Sequence, residues 1–216
     1  AWNKANNAQN TANDAKDKVD NLQVGGRNLL PYSKTFASPW YFYQGSGTTI
    51  KDGFNVYETN LSNMVADKFY DIGITRFITP TPKTTYTLSF WAKGNGYIQS
   101  YFYPSLVIKT ENSDGKVSDT GSKPSDGRSL FKLTDTWKKY WVTWTVGESI
   151  SGLKNIIVCR QETNVAGHAT QVSVYAPKLE LGNTPTDWTP APEDLETTVE
   201  TISKTVSEIE HTAESN

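Results

Sequence analysis

This chain is expected to be mainly β: a two-sheet β-sandwich flanked by N- and C-terminal α-helical coiled-coil segments. Three observations predict this. Both ends space their apolar residues alternately three and four apart, the seam of a helix that winds against like helices. The middle changes to polar/apolar alternation broken by Gly, Pro, Asn and Ser, an all-β pattern. Most of the 7 Trp and 11 Tyr lie in that middle.

The elements follow in order. The front seam runs Ala1, Ala5, Ala8, Ala12, Ala15, Val19 and Leu22, and its alanines require closely spaced helices. Gly25-Gly26 ends it where a left-handed cap is expected. The strands expected next are 54–57, 69–77, 85–93, 98–103, 106–110, 137–146, 155–160 and 171–180. Asn95-Gly96, Asp114-Gly115 and Asp126-Gly127 are turn signals, and 111–129 reads as a long polar loop. Pro185, Pro190 and Pro192 make the following linker extended and stiff, with Trp188 pinning it to the sandwich. Pro192-Glu193-Asp194 fits a helix start. The back seam runs Leu195, Val199, Ile202, Val206, Ile209 and Ala213. Valine at a with isoleucine at d favours three or more strands. The alternative is that both helices pack on their own domain. The boundaries are 1–24 for the first helix, 25–190 for the sandwich and 191–216 for the second helix. If the first and last strands pair antiparallel, both ends leave the domain side by side and it hangs on the shaft like an insertion. Seams running at both termini read as a piece of a longer fibrous protein.

Composition narrows the function. Of 216 residues, 36% are hydrophobic, and net charge is −2. The flanks hold 10 acids against 4 Lys or Arg, leaving 13 against 17 in the middle. That mild surplus is not the clustered basic patch of a nucleic-acid protein. No apolar stretch is long enough for a membrane span. The one cysteine, Cys159, sits in an apolar run and reads as core.

Alternation sorts the sheet faces. Tyr86, Leu88, Phe90 and Ala92 share one side, as do Tyr140, Val142, Trp144 and Val146, and these are core positions. Trp91 and Trp141 then fall on outward faces among Thr, Ser and Lys, and Gln99, Tyr101 and Tyr103 fall together. Exposed rings beside hydrogen-bonding groups suit a sugar, because rings stack on its C–H face and polar groups read its hydroxyls. The aromatic run Trp40, Tyr41, Phe42, Tyr43, with Gln44, is a further candidate; the alternative is an edge strand packed on the core. Arg76, Arg160 and Gln161 complete the set, the arginines offering a planar donor fork. The saccharide contacts expected are therefore Trp40, Tyr41, Tyr43, Arg76, Trp91, Tyr101, Tyr103, Trp141, Arg160 and Gln161.

Catalytic signatures are missing. His168 and His211 lie far apart, and there is no zinc spacing, phosphate loop or nucleophile elbow. No cofactor is expected, and no dedicated loop motif supports a structural calcium. A hydrolase would need two carboxylates or a Ser-His pair in one cleft.

Four segments, in order, resemble a known group. They are Gly26-Arg27-Asn28-Leu29-Leu30, Tyr86 to Gly94, Trp137 to Thr145, and the closing Lys178 to Asp194. Together they resemble the carbohydrate-binding-module-like jelly rolls of tail-fibre and tail-tip receptor-binding proteins from phages of Gram-positive bacteria, streptococcal types above all. The resemblance implies a jelly roll on a homotrimeric fibre at the virion tail. Its implied partners are host cell-wall polysaccharide and other tail proteins. The motif residues Leu88, Phe90, Trp137 and Trp188 read as structural. The rival expectation is a spacer domain with no ligand.

Overall fold

The computed structural model describes residues 4, 6, 7, 9–13, 16, 25–43, 46–60, 69–75, 78–103, 107–114, 117–119, 129–148, 155–162 and 167–214. Its strands are β1 (Trp40–Tyr43), β2 (Ser46–Lys51), β3 (Phe54–Asn60), β4 (Phe69–Thr75), β5 (Thr85–Gly94), β6 (Tyr97–Tyr103), β7 (Val107–Asn112), β8 (Val117–Asp119), β9 (Ser129–Lys132), β10 (Lys138–Val146), β11 (Asn155–Glu162) and β12 (Gln171–Leu181), followed by helix α1 (Pro192–Glu214). One sheet has the order β1-β4-β11-β6-β9, the other β2-β3-β12-β5-β10-β7-β8. Every described pairing between strands is antiparallel. Successive strands from β3 to β6 and from β9 to β12 cross from sheet to sheet, the wrapping of a jelly roll. The remaining strands extend the sheet edges.

Alternation explains the core. Tyr86, Leu88, Phe90 and Ala92 of β5 and Tyr140, Val142, Trp144 and Val146 of β10 are all buried, with Cys159 beside them in the same cluster. β1 and β2 occupy sheet edges, β8 lies within the stretch read as a loop, and β9 begins at its last residue. Asn95-Gly96 is a turn, but it joins strands of different sheets rather than a hairpin. Gly96 there has φ of 67°, a conformation glycine adopts without a Cβ penalty. His168 is half-buried and bridges Tyr97.

The other side of β5 and β10 departs from expectation. Thr87, Ser89 and Thr143 point away from the core yet are buried. The linker after β12 folds back over them, and Thr87 Oγ1 donates to Gly182 O at 2.7 Å. Under this cover lies an ion pair, Lys178 with Glu180 at 3.5 Å, their side chains 1% and 0% exposed. Thr186 completes it. Its hydroxyl accepts from Lys178 Nζ at 2.6 Å and donates to Glu180 at 2.7 Å, while its amide donates to Glu180 at 2.8 Å. Burial lowers the Lys178 pKa, and the Glu180 carboxylate opposes that shift. Pairing with full hydrogen bonding is what allows charges to sit here.

Trp188 pins the linker as expected. Its indole donates to Ser33 Oγ at 3.0 Å and meets Phe54 edge-on at 4.7 Å. Asn28 is the junction. Its carbonyl accepts from Leu30 N at 3.0 Å and Leu179 N at 3.3 Å. Its amide donates to Ser33 Oγ at 3.1 Å and Thr189 O at 2.9 Å. The entering chain therefore lies beside the leaving chain. Gly25 permits the approach, since a Cβ there would stand 2.1 Å from Leu181 O. Thr189 Oγ1 bonds Gly26 O, and Arg27 pairs with Glu193 at 3.4 Å.

α1 starts where Pro192 and the acids place it, with Asp194 accepting from Ala191 N and Tyr32 N. Its apolar stripe is open: Leu195, Val199, Ile202, Val206 and Ile209 are exposed, from 48% at Val206 to 63% at Ile209. In the front segment, residues 9–13 are helical and Ala12 is exposed; Ala5, Ala8, Ala15, Val19 and Leu22 lie outside the described residues. No described helix is long and apolar enough to cross a membrane.

Asn28→Ala would strand the buried Leu179 amide and the Thr189 carbonyl. The expected loss is about 3 kcal/mol, read as a lower midpoint in urea unfolding, with Asn28→Asp intermediate.

Candidate saccharide-binding face

The outer face of the five-stranded sheet gathers the larger share of the expected contacts. Register places Tyr43, Asp71, Arg160, Gln99 and Leu130 in one row across it, and Tyr41, Gly73, Ile157 and Tyr101 in the next. Tyr103 follows one row on, opposite Asn155.

Gly73 shapes this face. Its absent side chain leaves room for the Tyr41 ring, whose hydroxyl and Cζ come within 2.7 and 3.0 Å of where a Cβ would stand. The ring therefore crosses from the edge strand over its neighbour, as aromatics do beside strand glycines. Ile157, in the same row, is only 1% exposed and belongs to neither core cluster. Tyr43, two residues along, is 42% exposed, and Arg160 is half-buried. The result is a ring held against the sheet, a second ring open to solvent, and a guanidinium in the same row as the second. An apolar ring surface beside planar donors suits the C–H faces and hydroxyls of a sugar.

Two expected contacts face inward. Trp40 is 7% exposed, its indole donates to Pro31 O at 2.7 Å, and its ring meets Phe36 edge-on at 5.1 Å; it is core. Gln161 is buried, accepting from Thr59 Oγ1 at 2.7 Å and donating to Ala169 O at 2.8 Å, so it ties the sheets together. Trp91 and Trp141 share the outer face of the opposite sheet, away from the tyrosines. Trp91 stacks on Tyr175 at 6.3 Å and joins a small cluster with Phe54, Trp137 and Trp188. Burial in that cluster raises the Tyr175 pKa. Arg76 and Gln44 lie outside the described residues.

Sequence reasoning missed Gly73 as part of this face, whereas Gln99 was grouped with Tyr101 and Tyr103. A glycine inside a strand marks a close approach, and that signal was present in Phe69–Thr75.

No protein-family model and no curated protein matches the sequence. Among solved structures, the chain is similar to a xylan-binding domain from Paenibacillus barcinonensis, with a TM-score of 0.44, 11% identity, and coverage of 76% of this chain and 99% of that one. It is similar to the tripod from the baseplate of bacteriophage Tuc2009, with a TM-score of 0.45, 16% identity, and 80% and 61% coverage. It is also similar to the enzymatically active domain of a bacteriophage CBA120 tailspike, with a TM-score of 0.42, 13% identity, and 71% and 21% coverage. Likeness at this level carries no ligand or activity across to this chain.

Gly73→Ala would drive a methyl into Tyr41 and Ile156 O. Destabilisation of about 1–3 kcal/mol is expected, and Tyr41→Ala in the same background should recover part of it in thermal unfolding.

Proposed function

We propose that this chain is a non-catalytic host-recognition module of a phage tail fibre. Its five-stranded outer face would bind cell-wall polysaccharide of a Gram-positive host. The observation that carries the reading is the Tyr41 ring laid over Gly73, with Tyr43 exposed beside it and Arg160 in the adjoining row. The tail-protein setting rests on the resemblance of the four sequence segments. The division into 1–24, 25–190 and 191–216 belongs to the same proposal.

The shaft is part of it. Five large apolar side chains left open along one stripe of α1 need a partner, and heptad spacing makes that partner further copies of the same helix. A homotrimer presents three faces, and weak sites linked in this way gain avidity of roughly 10² or more. The rival reading, a spacer without ligand, draws support from the seven-stranded sheet, much of whose outer face is occupied by the chain's own linker and ring cluster.

Two measurements follow. Tyr41→Ala with Tyr43→Ala should weaken binding to purified Gram-positive wall polysaccharide by about tenfold or more, about 1.4 kcal/mol, with the fold kept. Unchanged binding would move the site elsewhere, and no binding by the parent chain would favour the spacer. In sedimentation, the parent should run as a trimer and Ile202→Glu with Ile209→Glu as a monomer of unchanged near-UV spectrum; a monomeric parent would remove the shaft from the proposal.

A further inference from the structure

A groove of about 530 Å³ opens on the outer face of the seven-stranded sheet, on the opposite side of the sandwich from Tyr41. Neighbouring strands build it. Asn60 pairs with Gln171, and Ser173 of β12 lies between Glu58 of β3 and Lys93 of β5. Asp135 joins from the turn before β10.

Its parts are held in place. The Glu58 carboxylate accepts from Thr49 Oγ1 at 2.6 Å and Ser173 Oγ at 3.2 Å. Asn95 fixes the rim, its carbonyl accepting from the backbone amides of Thr170 at 2.8 Å and Gln171 at 3.0 Å. Lys93 Nζ stands over the Trp137 ring, 5.1 Å from its centroid, which holds the ammonium at the edge of the groove. That indole is braced edge-on against Tyr175 at 4.8 Å. Converging amides, a hydroxyl, carboxylates and an ammonium are the equipment for reading a polyol.

We propose that this groove is a second saccharide site, for a neutral oligosaccharide bearing hydroxyl or acetamido groups. Charge decides the class. Glu58 and Asp135 outnumber Lys93 among the lining residues, so a uronic acid or polyol phosphate meets net repulsion. The side-chain amides of Asn60 and Gln171 can each donate and accept, matching an acetamido group. This site stands independently of the five-stranded face. With both faces occupied, a single protomer would hold two glycan strands, one on each side.

The test uses the full chain with triacetylchitotriose, cellotriose and trigalacturonate as probes. Hydrogen-exchange mass spectrometry locates binding and calorimetry measures it. At least one neutral sugar should protect peptides covering Lys93, Asp135 and Gln171, and trigalacturonate should not. Lys93→Ala with Asp135→Ala, both at the surface, should weaken that binding about tenfold, whereas Tyr43→Ala should leave it unchanged. The proposal is overturned if neither neutral sugar protects these peptides, if trigalacturonate binds there more tightly, or if the double variant binds as the parent does. Loss in Tyr43→Ala alone would assign the sugar to the other face and equally overturn this one.

Discussion

One carboxamide organises this molecule. Asn28 has two donors and two acceptor positions, and all four are used, on the entering segment, on β12 and on the leaving linker. A buried amide is tolerable only when so satisfied. Because it is, the start of the domain, its last strand and the approach to α1 are fixed relative to one another. The segment from Gly25 to Leu30 thus has a structural reason: Gly25 lets the chain approach β12, Asn28 ties it, and Leu30 enters the core.

The two outer faces differ because the chain is spent differently on them. The linker that leaves β12 returns over the seven-stranded sheet and seals Lys178, Glu180 and Thr87 beneath it. Trp91 and Trp137 then pack on Tyr175 beside this cover, and the end near Ser173 opens into the groove. The described residues place no comparable strap on the five-stranded sheet. Its outward rows, with Tyr41, Tyr43 and Arg160, form the broader platform.

Much of this was legible in the sequence, and the failures have specific causes. Alternation placed the cores of β5 and β10 correctly because both strands are long, regular and central. In the run Trp40 to Tyr43 the same rule applies, sending Trp40 and Phe42 inward and Tyr41 and Tyr43 outward, but four adjacent aromatics read as a single block. Arg160 and Gln161 were grouped as neighbours. A bulge between Ile157 and Cys159 sets the parity of β11, so Arg160 turns out and Gln161 turns in. The alternating Lys178-Leu179-Glu180-Leu181 looks like an ordinary half-exposed strand. Its burial depends on Thr186, whose return over the sheet no periodicity encodes.

The adjacency of entry and exit has a mechanical meaning. Tension applied between the two ends of the domain meets a short path: from Gly26 to Thr189 by one hydrogen bond, and from Arg27 to Glu193 by one ion pair. Strands beyond that stem are bypassed. Pulling the two ends apart would load this stem first, while both sheets keep their shape.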